Sequence, residues 1–203
     1  PRSRGLGDVY KRQVMTQQGK NAIDLVLAES LIELSAKKPI DKITIKEITD
    51  KAGVIRPTFY NHFQDKYELI EWIIKSELLE PIKPLLNAGM IFEAIVLMLN
   101  NISANSVFYK KALKLEGAVT FNQIAMKCVY EMFMNIINEK STGKKSKYRW
   151  LTPEVISTYY AQSLCFITEG WIAQGMDDIE PKEMAEAYMY LITRSMDDIL
   201  SEL

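Results

Sequence analysis

Apolar positions along the chain recur at helical spacing. Ile23, Leu27, Leu31 and Leu34 follow one another at steps of three and four residues, which predicts an amphipathic helix over about 18–36, stopped by Pro39. Further on, Thr44 and Glu47 have the spacing of a capping box, with Ile43 and Ile48 at the positions of a hydrophobic staple. Ile45, Ile48 and Ala52 then share one helical face, and Gly53 stands where a left-handed residue ends a helix most cheaply. A second short helix begins at Arg56–Pro57, since proline is tolerated in the first turn, and runs to about Phe63. Asp65 and Glu68 cap the next helix. Thr120 with Gln123 opens a run to about Glu139, Thr152–Pro153 opens another that ends at Gly175, and Pro181 starts a last helix reaching about Leu200. Ser141–Lys147 is polar and glycine-containing, hence a loop. No strand-like alternation of useful length and no internal repeat interrupts this pattern, so the fold class is all-α.

Two short helices joined by a glycine turn, behind a longer amphipathic helix, make a helix-turn-helix whose second helix is presented to the DNA major groove. Charge sharpens this reading. The whole chain carries a net charge of −1, but residues 37–66 hold seven bases against four acids, while 67–203 hold 13 bases against 18 acids. One locally basic module on an otherwise acidic chain fits phosphate contact, with a solvated charged face as the alternative.

Other classes lose support. Cys128 and Cys165 are the only cysteines, which is neither a disulfide framework nor a metal pair, so a reducing cytoplasm is the default and no metal or cofactor is expected. No apolar run reaches the roughly 18 residues of a membrane span. The single histidine, His62, lies inside the second short helix, and nucleophile-elbow, phosphate-loop and zinc-protease motifs are absent; an enzyme is not expected. Residues 1–14 are basic and read as a disordered arm, or as sequence foreign to a domain that begins at Met15.

The stretch TIKEITDKAGVIRPTFYNHFQDKYEL at 44–69 resembles the helix-turn-helix of the TetR family of transcription regulators at nearly every defining position. FYKKAL at 108–113 and WII at 72–74 look like its branch of dihydroxyacetone-kinase-operon regulators. The resemblance implies a DNA-binding domain over 15–66 and a helical sensing and dimerising domain over 67–203, joined within a rigid helix. It implies base-edge readers at Arg56, Pro57 and Thr58, and phosphate anchors at Tyr60, His62, Lys66 and Thr44. For His62 a structural polar role is the alternative, for Tyr60 a core cap, and for Lys66, whose place at a helix start opposes the helix dipole, plain solvent exposure. Ile55 departs from the small capping residue common in the family and shifts the expected cap to Arg56.

In the second domain most methionines and aromatic residues are core. The family's ligand cavity implies that some face a pocket for a small-molecule effector, with Phe108, Phe121, Tyr130, Met134 and Phe166 as candidates. The last two helices are apolar on more than one face, so they need a second partner. In the family that partner is the same pair from another subunit, with Tyr159, Phe166, Tyr188, Leu191 and Ser195 at the interface. The expected protein is a homodimeric, ligand-responsive repressor on a near-palindromic operator. A helical co-regulator or an activator of the same fold, working through protein partners, is the alternative.

Overall fold

The computed structural model describes residues 22–140 and 146–202. The expectations for residues 1–14 and for most of the 141–147 loop fall outside them. Among the described residues the chain is helical and has no strand, as the periodicity requires. It divides into two compact units, one ending at Trp72 and one beginning at Ile73.

The first unit is built from α1 (22–37), a 3-10 turn at Ile40–Lys42, α2 (Ile45–Ala52), α3 (Arg56–Tyr60) and the start of α4 (Lys66–Ile73). Each boundary has a local cause. Pro39 follows α1, and the capping box starts α2: Glu47 N–H donates to Thr44 Oγ1 at 3.3 Å, and Thr44 N–H donates to Glu47 Oε2 at 2.9 Å. Gly53 closes α2 at φ 71°, ψ 25°, a left-handed conformation that a β-carbon makes costly. Asp65 Oδ1 accepts the N–H groups of Tyr67 at 2.8 Å and Glu68 at 2.9 Å, starting α4. Leu27, Leu31, Ile40, Ile48, Phe59 and Leu69 are fully or almost fully buried and form a small core.

The second unit begins where α4 passes directly into a π-helical stretch, Ile74–Leu79. It continues through α5 (Lys83–Asn87), α6 (Ile91–Ala104), α7 (Ser106–Ala112), α8 (Phe121–Lys140), α9 (Pro153–Ala173), α10 (Pro181–Thr193) and α11 (Met196–Glu202). α8 packs along α9, and α10 packs on α6. The caps at Thr120 and Thr152 stand where their sequence spacing put them, with Gln123 N–H on Thr120 Oγ1 at 3.3 Å and Val155 N–H on Thr152 Oγ1 at 3.4 Å. The last expected helix is two. Ser195 breaks it by capping α11: its hydroxyl donates to Asp198 Oδ2 at 2.7 Å and accepts Asp198 N–H at 3.2 Å.

Among the described residues no single helix is long and apolar enough to cross a membrane. α6 and α7 reach that length only across an 88° bend.

Candidate nucleic-acid interface

The outward face of α3 carries the residues expected to meet DNA. Arg56 and Pro57 at its first turn are exposed, Thr58 is half-buried, and the Tyr60 ring is 51 % exposed beside the buried Phe59, edge-on at 5.6 Å. A planar guanidinium, a pyrrolidine and a threonine methyl on one exposed helix start are groups able to bond a guanine edge and touch thymine methyls. The half-exposed phenol at Tyr60 sets aside its alternative role as a core cap.

The cap of α3 did not shift. Ile55 is the N-cap, with extended backbone at φ −87°, ψ 154°, and its carbonyl accepts Thr58 N–H at 2.9 Å. Backbone geometry alone suffices for the cap position, so Ile55, without a polar side chain, stands 69 % exposed immediately before Arg56.

Three expected phosphate anchors are engaged elsewhere. The His62 ring lies between α3 and α1, with Nδ1 2.6 Å from Asp24 Oδ1 and both side chains almost buried. It ties the recognition helix to α1 instead of facing outward. Lys66 gives its ammonium protons to three backbone carbonyls, those of Ile40 at 3.0 Å, Asp41 at 2.7 Å and Ile43 at 3.3 Å. Burial pushes its pKa down. An ammonium has three protons, so none of them is left for a phosphate. This contact also accounts for a lysine at a helix start, which neither a phosphate partner nor solvent exposure explains here. Thr44 has both its N–H and its hydroxyl on the Glu47 carboxylate, at 2.9 and 2.8 Å. That carboxylate also takes Lys38 Nζ at 2.5 Å, and these hydrogen bonds, Lys38 first, hold the Glu47 pKa down at about 2. Sequence spacing did not reveal Asp24 as the partner of His62, because the two are 38 positions apart and Asp24 is an unremarkable polar residue in α1.

The second unit redistributes the remaining candidates. Phe121 lines an interior cavity of about 40 Å³ with Tyr109 and Thr168, and a larger cavity of about 230 Å³ is lined by Met132, Phe133 and Tyr160 among others. Tyr130 and Met134 border neither, being one helical step from Val129 and Phe133, which do. Phe108 is buried against Tyr109, which takes the lining position instead. Phe166 is 76 % exposed and lines neither of these cavities but an open surface groove with Trp171 and Met184; with Tyr159 at 61 % and Leu191 at 48 % it leaves α9 and α10 with uncovered apolar groups. Tyr188, expected at the subunit interface, is instead in the core of its own chain, with its hydroxyl 3.1 Å from Ser163 Oγ. Ser195, assigned to the same interface, is the α11 cap.

Comparison with known proteins agrees with this architecture. Residues 29–73 match the family model described as "Bacterial regulatory proteins, tetR family", and residues 90–194 match "Transcriptional regulator C-terminal region". The chain is 26 % identical over 167 residues to the HTH-type dhaKLM operon transcriptional activator DhaS of Lactococcus lactis, covering 81 % of this chain and 83 % of that protein. The solved structure of a dihydroxyacetone kinase operon activator DhaS superposes with a TM-score of 0.60 at 21 % identity, over 84 % of this chain and 93 % of the other. The crystal structure of native NalD, the secondary repressor of the MexAB-OprM multidrug efflux pump in Pseudomonas aeruginosa, has a TM-score of 0.56 at 12 % identity, over 85 % and 96 %. With family models over its helix-turn-helix and over most of the helical unit beyond it, the chain belongs to the TetR family of DNA-binding transcription regulators.

Proposed function

We propose that this regulator works in the cytoplasm as a homodimer on a near-palindromic operator and answers to a small-molecule effector. Arg56, Pro57 and Thr58 read base edges, Ile55 adds an apolar contact to a thymine methyl, and Tyr60 donates to a phosphate. The observation that carries the reading is the exposure of Ile55, Arg56, Pro57 and Tyr60 around one helix start, while His62 and Lys66 are held inside the unit. The exposed Tyr159, Phe166 and Leu191 on α9 and α10 support dimerisation through these helices.

The relatives' names include an activator and a repressor. The direction of control follows from where the operator lies relative to the promoter, so a reporter fused to the bound promoter reads it directly. DNA selected from a random pool should show two half-sites about 10 bp apart centre to centre, or a multiple of that spacing. Arg56→Ala should weaken binding to the selected site by about 1–3 kcal/mol and relax the base preference at one position of each half-site. Equal loss on selected and random DNA would remove Arg56 from base reading.

A further inference from the structure

Three buried hydroxyls in the second unit have no hydrogen-bond partner among the described residues, those of Tyr109, Ser157 and Thr168, and two of them belong to residues that line one cavity. These two are Tyr109 OH and Thr168 Oγ1, and the cavity is the one of about 40 Å³. Tyr109 has no accessible surface, and its ring is fixed edge-on by Phe108 at 5.1 Å and Phe121 at 6.2 Å. The ring cannot swing its hydroxyl out to solvent without leaving this packing. Buried hydroxyls without partners destabilise a fold, which makes two on one small cavity an observation that asks for a ligand.

The larger cavity, of about 230 Å³, is lined almost wholly by aliphatic and aromatic side chains. It shares Met98 and Leu164 with the smaller one, so these two side chains stand between the hydroxyl-bearing space and the apolar space. Met98 is an unbranched, flexible side chain suited to yielding. An apolar cavity of about 150 Å³ accommodates benzene, so the larger space suits a body about half as large again.

Charge restricts the head of the ligand. The titratable groups on the smaller cavity are Tyr109, Cys165 and Glu169, each of which is neutral or negative and never positive. An anionic head therefore finds no counter-ion there. Burial raises the pKa of all three, that of Cys165 to about 12, in keeping with a site that disfavours charge. Lys140, on the wall of the larger cavity, already donates to the Leu86 carbonyl at 2.8 Å.

We propose that the two cavities form one bipartite receptor for a neutral amphiphile, with an aryl or alkyl body in the larger space and a hydroxyl head on Tyr109 and Thr168 in the smaller. The Tyr109 hydroxyl donates to the head oxygen, the Thr168 hydroxyl accepts its proton, and Met98 moves aside as the partition. This rests on the reading of the chain as an effector-responsive regulator and names the chemical class of the effector.

The test uses the full chain, calorimetry and thermal melting, with three probes of one shape: 4-propylphenol, 4-propyltoluene and 4-propylbenzoate. The phenol should bind once per chain, at least about tenfold more tightly than either of the others, a factor worth roughly 1.4 kcal/mol. Tyr109→Phe should raise the melting temperature of the unliganded protein by about 2–4 °C while removing the preference for the phenol. Thr168→Val serves the same comparison if the tyrosine variant does not fold. Equal binding of phenol and toluene would overturn the hydroxyl head, and tightest binding of the benzoate would shift the site to an anion receptor at Lys140. A lowered melting temperature in Tyr109→Phe would overturn the proposal too, because it means that the hydroxyl already has a partner such as bound water. A gel shift on the same preparation separates the outcomes: retained DNA binding without phenol binding sinks this proposal and leaves the DNA reading intact.

Discussion

The two units of the chain differ in how completely their buried polar groups are paired. In the first, Asp24 meets His62, the hydroxyls of Ser30, Ser35 and Thr49 donate to nearby carbonyls, and Lys66 is absorbed by three more. In the second, the hydroxyls of Tyr109, Ser157 and Thr168 are buried without a partner among the described residues, and two cavities adjoin Met98. A core whose polar groups are all satisfied has one good arrangement, which suits a part that must present side chains to DNA in fixed register. A core with unsatisfied hydroxyls beside open space has something to gain from a ligand, which suits a receptor. The difference lies in the completion of hydrogen bonding, since both units bury similar aliphatic and aromatic side chains.

If the first unit owes its rigidity to these long-range polar ties, cutting one should be costly. Asp24→Ala leaves the His62 ring almost buried without its acceptor and should lower stability by about 2–3 kcal/mol, measured by chemical denaturation. A loss no larger than that of an exposed carboxylate in the same unit, such as Asp50→Ala, would mean that the tie contributes nothing. Lys66→Met strands three carbonyls and should cost about 1–2 kcal/mol. Its effect on DNA sharpens the contrast with a phosphate anchor. Because the ammonium is taken up internally, the slope of log K against log salt should stay unchanged, whereas a phosphate-bound lysine would flatten it by roughly 0.9 per contact. A flatter slope for Lys66→Met would put this side chain on DNA after all.

The smallest effect concerns the exposed edge of the same unit. Glu47 has its folded-state pKa lowered from 4.5 to about 2 by Lys38 and Thr44. A carboxylate depressed in this way stabilises the fold above its unfolded value and loses that contribution as pH falls through 4.5 toward 2. The melting temperature should therefore drop in that window. Glu47→Gln should be less stable at neutral pH and should show a shallower drop, and an equally steep drop would assign the acid sensitivity to other carboxylates.

Much of the architecture was legible from residues three or four apart. The capping boxes at Thr44 and Thr120, the Thr152 cap and the left-handed Gly53 are local interactions between near neighbours, and each stands where its spacing put it. At Ser195 a single apolar stripe to about Leu200 concealed a cap, although its partner Asp198 is only three positions on. Spacing also left Tyr60, His62 and Lys66 alike as candidates for phosphate contact. Tyr60 remained exposed, but His62 and Lys66 were drawn inward by groups 23 to 38 positions away.

The sequence by itself determined the bounds of the two short helices around Gly53, the helix starts at Thr120, Thr152 and Pro181, and the all-helical character of the described residues. Each of these follows from backbone hydrogen bonding and side-chain periodicity within one or two turns. Only the tertiary structure decided which polar side chains are left over for a partner. Whether an ammonium, an imidazole or a phenol is already satisfied depends on which carbonyls and carboxylates the fold brings within about 3 Å of it. Pattern also left Tyr188 indistinguishable from Leu191, since both lie on apolar stripes of α10, and packing then buried the first and exposed the second. The cavities beside Met98 belong to the same class of fact, because the space between helices is set by how side chains from distant segments interlock.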